Sequence, residues 1–333
     1  HSAMKPLIQP LPDPAKKPLP AATPAIRKLQ YEALIKSLCY SDIFDFPLTL
    51  EEIVRFAPDT VISIDEAEER LNSEGPLTGV VKRNGNFYFL EGRGENCQRR
   101  LDREAESRQQ LEIALRRLIP LQGIPFLRAA AITGSLAALN SPAGDDVDLL
   151  IVSSRGRTWT AYFFLRLWRR FSHNPDICFN VFLSEGDLVF RNQNLFYARE
   201  ILGALPAFNN GAYDKFIDAN RWIFDIFPSW SPNQDRRRYR LASSPLWRRR
   251  QRQLERLLTG PFGDLVEYLV NKVQAKNLIS SATKTSMRMR RNRIKLHKRD
   301  NRPPILDKYE QRIETWVGRY RELAGEPPGK AVD

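Results

Sequence analysis

The chain is poor in the residues that carry soft-metal and acid–base chemistry. Its 333 residues include three cysteines, Cys39, Cys97 and Cys178, and three histidines. The cysteines are widely spaced, odd in number and form no Cys-x-x-Cys pair, which argues against a disulfide framework or a structural zinc site and suits a reducing compartment. His1 stands in His-Ser-Ala ahead of Met4 and reads as a tag remnant over residues 1–3. The remaining pair, His173 and His297, are too far apart in sequence to suggest a histidine metal site or a Ser-His-Asp triad. No apolar run approaches the roughly 18 residues that span a bilayer. Residues 161–168 are mostly apolar, but Arg166 interrupts them and Arg169 and Arg170 follow directly. With no signal-peptide pattern at the start, the expectation is a soluble cytoplasmic protein that does not engage a membrane.

What is present is an ordinary globular mixture, 42% hydrophobic and 27% charged, which excludes a wholly disordered chain. The length suggests two or three domains. The formal net charge is +13, and its position is more informative than its size. Residues 231–302 hold 20 Lys and Arg against five Asp and Glu, an excess of fifteen, so the rest of the chain is near −2. A basic stretch with interleaved Trp230, Tyr239, Trp247 and Tyr268 suits a polyanion, and it suits a solvated helical face as well. Arg236, Arg237, Arg248, Arg249, Arg290 and Arg291 are the candidates for polyanion contacts.

Residues 5–26 carry seven of the 23 prolines and read as an extended arm. Three short helical patterns follow: one from about residue 29, one over 50–56 capped by Thr49 with Glu52 in the capping-box position, and one over 65–71 capped by Ser63 or Asp65. Two apolar runs around Asn84-Gly85 predict a β-hairpin over 80–90. Three helices and a hairpin make a winged-helix arrangement over 28–92. Its third helix carries Asp65, Glu66, Glu68 and Glu69 with only Arg70 basic, a poor match to a phosphate backbone, so a packing role is the preferred reading. A charged amphipathic helix is predicted over 93–119. Strands are predicted at 128–133, 147–152 and 177–183, with helices starting at 136 and spanning 158–171. Residues 194–227 read as helical and aromatic-rich, the basic stretch as a long helix, and 304–323 as one more amphipathic helix.

One constellation stands out. Ile132-Thr133-Gly134-Ser135 is followed, ten residues later, by Asp146-Val147-Asp148-Leu149-Leu150-Ile151-Val152. On a strand, residues i and i+2 share a face, so Asp146 and Asp148 project together. Two adjacent carboxylates repel unless a cation lies between them. Mg²⁺ takes such oxygen ligands together with water and substrate phosphates. A Gly-Ser turn ahead of a helix can hold a phosphate, and Gly134 lets it approach closely.

This pattern resembles the nucleotidyltransferase superfamily that includes DNA polymerase beta. Residues 40–49, Tyr-Ser-Asp-Ile-Phe-Asp-Phe-Pro-Leu-Thr, resemble the start of a winged-helix module that precedes such a core in a bacterial group. Arg157-Thr158-Trp159, Ile177-Cys178-Phe179-Asn180 and residues 296–302 resemble the same group. The resemblance implies transfer of a nucleoside monophosphate from an NTP to an acceptor hydroxyl, with two Mg²⁺ or Mn²⁺ ions held by Asp146 and Asp148. It also implies that Gly134 and Ser135 hold the triphosphate. Arg155 and Arg157 are candidates to reach the triphosphate from the C-terminal edge of the sheet. The third carboxylate of the superfamily belongs on the 177–183 strand, where the inward residue is Asn180; Asp176, Glu185 and Asp187 lie at its ends.

The expected fold is α+β: a nucleotidyltransferase core over 93–190, an N-terminal winged helix over 28–92 and a basic C-terminal helical domain over 191–333, after an arm at 1–27. The leading acceptor is an RNA or DNA end, with RNA favoured. Two alternatives stand beside it: modification of a protein or small molecule, and a nucleic-acid-binding protein with a degenerate core. Oligomeric state is open.

Overall fold

A computed structural model of the chain describes residues 23–230, 240–281, 288–290, 293–295 and 302–325, with backbone alone for 275–281 and for the two three-residue pieces. The described residues fall into two units, one within 1–97, 224–233 and 308–333, the other within 98–223 and 234–307. The architecture is mixed α and β around a mixed sheet. Residues 191–333 are shared between the two units. No helix among the described residues is long and apolar enough to cross a membrane. Residues 1–22 of the proline-rich arm and the motif residues 296–301 lie outside the described residues; the end of the arm is not extended as expected, because Thr23 caps a helix that begins at Pro24.

The first unit starts with α1 (Pro24–Asp42), α2 (Leu50–Arg55) and α3 (Ile64–Asn72), then the hairpin β1 (Val81–Asn84) and β2 (Phe87–Leu90). Thr49 and Glu52 close the expected reciprocal box on α2; on α3 the cap is Ser63, not Asp65, and Glu66 closes a second box that was not foreseen. The hairpin turn is Gly85-Asn86, one residue later than the Asn-Gly reading, because Gly85 takes the left-handed conformation (φ 58°) the turn requires. Arg70, the one basic residue of α3 before Leu71, turns inward: its guanidinium donates to the Glu66 carbonyl (2.8 Å) and to Gln30. The exposed face of α3 is therefore acidic, with Asp65, Glu68 and Glu69 in solvent.

The second unit contains α4 (Asn96–Leu118) from Gln98 on, a 3-10 turn (Ile119–Gly123), β3 (Leu127–Thr133), α5 (Gly134–Ala137), β4 (Val147–Ser153), α6 (Thr158–Phe171), β5 (Ile177–Ser184), α7 (Leu195–Gly203), β6 (Leu205–Asn209) and α8 (Ala212–Asp218). After α9 (Ile223–Ile226), which is mostly in the first unit, come α10 (Pro245–Leu257), α11 (Gly260–Ser281), β7 (Arg288–Arg290) and β8 (Arg293–Lys295). The sheet order is β6-β3-β4-β5-β8-β7, with β4 and β5 parallel and every other pair antiparallel. Two expectations are corrected here. Residues 194–227 are not wholly helical, since β6 adds an edge strand to β3; its pattern is interrupted by Pro206, which a strand at the sheet edge tolerates. The basic stretch is likewise not one long helix, because β7 and β8 extend the sheet beyond β5.

β4 is buried along almost its whole length, as a strand with neighbours on both sides must be. Leu111, Ala114, Leu115 and Leu118 of α4, and Trp159, Tyr162 and Leu165 of α6, pack into the same core as Leu149 and Ile151. Glu267 of α11 accepts from the backbone N–H groups of Trp159 (2.9 Å) and Thr160 (2.8 Å), capping α6 in place of a local side chain. The final helix, α12 (Arg302–Leu323), joins the first unit from Lys308 on. There Arg312 bonds Asp42 (2.7 Å), Arg321 bonds Glu32 (2.8 Å), and Tyr320 stacks on Tyr31.

The start of β5 is fixed by Arg117 at the end of α4. Its guanidinium donates to Asn174 (2.6 Å) and to both carboxylate oxygens of Asp176, while the Asp176 carbonyl accepts from Val147 N–H (2.8 Å). Arg117→Ala is therefore expected to cost about 1–3 kcal/mol. The Arg117 hydrogen bonds hold the Asp176 carboxyl below its usual range. That part of the stability is present above about pH 4 and is lost as pH falls through the folded-state pKa. Urea unfolding of the two proteins at pH 7 and pH 3 checks it: the gap narrows at pH 3, and an unchanged gap contradicts the assignment.

Candidate active site

The acidic pair sits where β4 emerges from the core. Asp148 is on the strand, opposite Thr133 of β3 and Cys178 of β5; Asp146 is exposed just ahead of it. The register of β4 against β5 shifts between Asp148 and Leu150, so three residues of β5 span two of β4. That bulge lies at Phe179–Asn180, and such irregularities re-aim side chains at sheet ends. Cys178 donates from Sγ to Asp146 Oδ2 (3.3 Å), and the Asn180 side chain hydrogen-bonds Asp148. Alternate residues of β5 thus meet alternate residues of the acidic segment. Asn180, the inward residue of β5, is an amide and bonds Asp148 alone of the two aspartates.

Asp148 is half-buried. Burial is the largest influence on its carboxyl and, with the charges of Asp146 and Asp145, pushes it up to about 6 against the pull of the Asn180 hydrogen bond. Gly134 has φ +70°, and a Cβ placed there would lie 3.1 Å from Asp148 Oδ2. A glycine is needed both for the left-handed backbone and for this close approach. The helix that follows, α5, is a single turn of four residues, so the expected helix-end field is small. Ser135 Oγ donates to Asp145 Oδ2 (3.1 Å), tying the Gly-Ser turn to the loop ahead of the aspartates.

The two arginines do not join this group. Arg155 and Arg157 follow β4 at its other end, a seven-residue strand away, which at about 3.3 Å per residue is more than 20 Å. Arg157 is committed there to Asp264 (2.7 Å) and to the face of Phe126, and Arg155 lies against Gly186. The expectation that they reach a triphosphate bound at the aspartates is corrected. It assumed the C-terminal edge of the sheet, whereas the acidic pair is at the N-terminal end of β4. Asp176 is paired with Arg117, and Glu185 with Lys215 (3.1 Å) beyond the far end of β5.

One group was missed in the sequence. Glu200 lies in the last turns of α7, and α7 packs on α5 and β3. Two residues past α7, Leu205 pairs with Ile132, the neighbour of Thr133, which itself pairs with Asp148. Glu200 is thus brought to the acidic end of the sheet. Burial and the Asp148 charge push its carboxyl up to about 7, against the influence of Arg199. The only sequence signal was an Arg199-Glu200 pair in a largely apolar helical segment.

Among the candidate polyanion residues, Arg248 and Arg249 lie on α10. Arg290 is described by backbone alone, on β7, and Arg236, Arg237 and Arg291 lie outside the described residues. Among the described residues no group of three or more His, Cys, Asp or Glu is arranged to hold a metal ion. The two aspartates are hard oxygen donors, and the like charges around Asp148 go unbalanced by any basic group among the influences on it. This partial set fits a divalent cation that keeps waters and substrate phosphates as its other ligands. Comparison of the chain with protein-family models, with curated proteins and with solved structures finds no match.

A carboxyl whose folded pKa is raised binds more protons folded than unfolded, so stability falls as pH rises from about 4 through about 6. Without divalent cations, Asp148→Asn is expected to stabilise the protein at pH 7.5 by about 1–2 kcal/mol and to do little at pH 4. Denaturant midpoints at the two pH values, in EDTA, measure this. A destabilised variant at pH 7.5 would show that Asp148 is held by favourable contacts instead.

Proposed function

We propose that the chain is a metal-dependent nucleotidyltransferase that moves a nucleoside monophosphate from an NTP to an acceptor hydroxyl on an RNA end. The observation that carries the reading is the pairing of Asp146 and Asp148 at the mouth of β4 with Gly134 packed against the Asp148 carboxylate. The resemblance of the Gly-Ser and Asp-x-Asp motifs to the superfamily supports it, as does the strand order that brings β3, β4 and β5 side by side.

In this reading Asp146 and Asp148 would hold the cations, with Asn180 hydrogen-bonded to Asp148 beside them. Divalent cations at such a site neutralise phosphate charge and stabilise the attacking and leaving oxygens of an in-line displacement. The backbone at Gly134 lies close against the Asp148 carboxylate, so a phosphate held at the Gly-Ser turn would be next to the cation ligands. The acceptor oxygen bonds to the α-phosphorus as the bond to the β-phosphate oxygen breaks and pyrophosphate leaves. The hydroxyl proton would pass to Glu200, the carboxyl that the sheet order brings to the acidic end beside Asp148. Glu200 thereby takes over the base function that Asn180 has no means to perform.

Asn180 also favours a second reading, a protein that binds nucleotide and nucleic acid without turnover. One incubation separates the two: the full chain with each α-labelled NTP, Mg²⁺ or Mn²⁺, and total RNA. Label is expected on RNA, with loss of at least about 10³-fold in Asp146→Ala/Asp148→Ala and about 10²-fold in Glu200→Gln. Label on protein or a small molecule moves the acceptor to another class. No label with any NTP overturns the catalytic reading in favour of the second.

A further inference from the structure

The basic charge of the second unit has a described anchor in α10, and that helix borders a groove of about 590 Å³. The groove runs between the 3-10 turn after α4, the end of α6 and α10, and is lined by Trp168, Trp247, Arg250, Ile124, Leu254 and Leu257. The Trp247 ring lies directly over Gly123, where a Cβ would come within 2.6 Å of it, so a side chain at that position would displace the indole. Arg250 stacks over the Trp247 ring, 5.4 Å from its centre.

At 100° per residue the rest of α10 sorts itself around this wall. Arg249 and Arg256 form the crest, and Arg252 and Arg248 the far flank. Arg249, Arg250, Arg252 and Arg256 are exposed, and none of them forms a salt bridge among the described residues. The one carboxylate of the helix, Glu255, is taken by Arg128 (2.7 Å) and by the Phe126 N–H (2.6 Å). Arg248 is half-buried among Arg252 and Arg128, and its Nε is buried without a hydrogen-bond partner. Cations this crowded, one of them under-bonded, call for an anion with several charges in a row. An aromatic groove beside them calls for a flat ring.

We propose that α10 is a saddle for single-stranded RNA, with an unpaired base stacked in the Trp168–Trp247 groove and successive phosphates crossing Arg249, Arg252 and Arg256. Single strands offer both parts at once, whereas a duplex hides its base faces. The inference rests on the transfer reading only for the claim that the bound strand is the acceptor, and the binding itself is tested without turnover.

The test uses the full chain and a labelled twelve-nucleotide oligo(U), followed by fluorescence anisotropy from 50 to 300 mM salt, with a duplex RNA and poly-glutamate as competitors. Oligo(U) is expected to bind at least about tenfold more tightly than either competitor. Trp247→Leu should weaken oligo(U) about tenfold with little change in salt slope. Arg249→Ala/Arg252→Ala/Arg256→Ala should lower the slope of log affinity against log salt by about 2. These arginines are exposed, so the triple variant keeps its fold, and circular dichroism checks this. If the parent chain binds oligo(U) as expected but transfers no label from any NTP, the result counts against the transfer reading alone. Unchanged affinity in both the Trp247 and the triple-arginine variants overturns the saddle. So does poly-glutamate binding as tight as oligo(U), which would mark a surface for acidic protein segments.

Discussion

Parallel pairing of β4 with β5 is the contact on which the candidate site depends. It brings Cys178 and Asn180 beside Asp146 and Asp148, and Arg117 anchors its start through Asp176. The position of β4 owes nothing to its acidic residues. Leu149, Ile151 and Val152 are fully buried, and each such side chain contributes about 1.5–3 kcal/mol. Even as an upper estimate, that exceeds the roughly 1–2 kcal/mol lost by holding Asp148 half-buried beside like charges. The core therefore sustains an electrostatically unfavourable group at the end of the strand. Groups kept in that condition are candidates for function, because the missing favourable partner is supplied by a ligand.

The same logic applies with the opposite sign on α10. Its arginines outnumber the single carboxylate within reach, and that carboxylate is spent on Arg128. The chain thus separates two kinds of unbalanced charge: a small acidic cluster suited to cations at one end of the sheet, and a basic ridge suited to phosphates along one helix. The overall charge of +13 conceals this division.

Much of the architecture was legible in the residues, and the reasons are local. The Thr49–Glu52 capping box, the hairpin and the strands β3, β4 and β5 follow from spacing and from turn chemistry that needs no distant partner. What was not legible depended on distant pairing. β6 is five residues with a proline and becomes a strand because β3 offers it an edge. β7 and β8 are too short and too basic to show a period. Arg155 and Arg157 were placed near the aspartates by proximity in sequence, but a strand carries the chain to the opposite end of the sheet in seven residues. Glu200 was invisible for the converse reason, since 52 positions separate it from Asp148 and only the sheet order brings the two ends together. The groove over α10 pairs Trp168 with Trp247, a juxtaposition that no sequence window contains.

The central claim is that the repulsion stored at Asp146 and Asp148 is kept for a divalent cation delivered with a nucleotide. Electron paramagnetic resonance of Mn²⁺ tests it most directly. Wild-type protein and Asp148→Asn are each titrated with Mn²⁺ in the presence of an NTP analogue that resists cleavage between the α- and β-phosphates. The account predicts protein-dependent loss of the free Mn²⁺ signal in the wild type and at least tenfold weaker uptake in the variant. Equal uptake by the two proteins would contradict it.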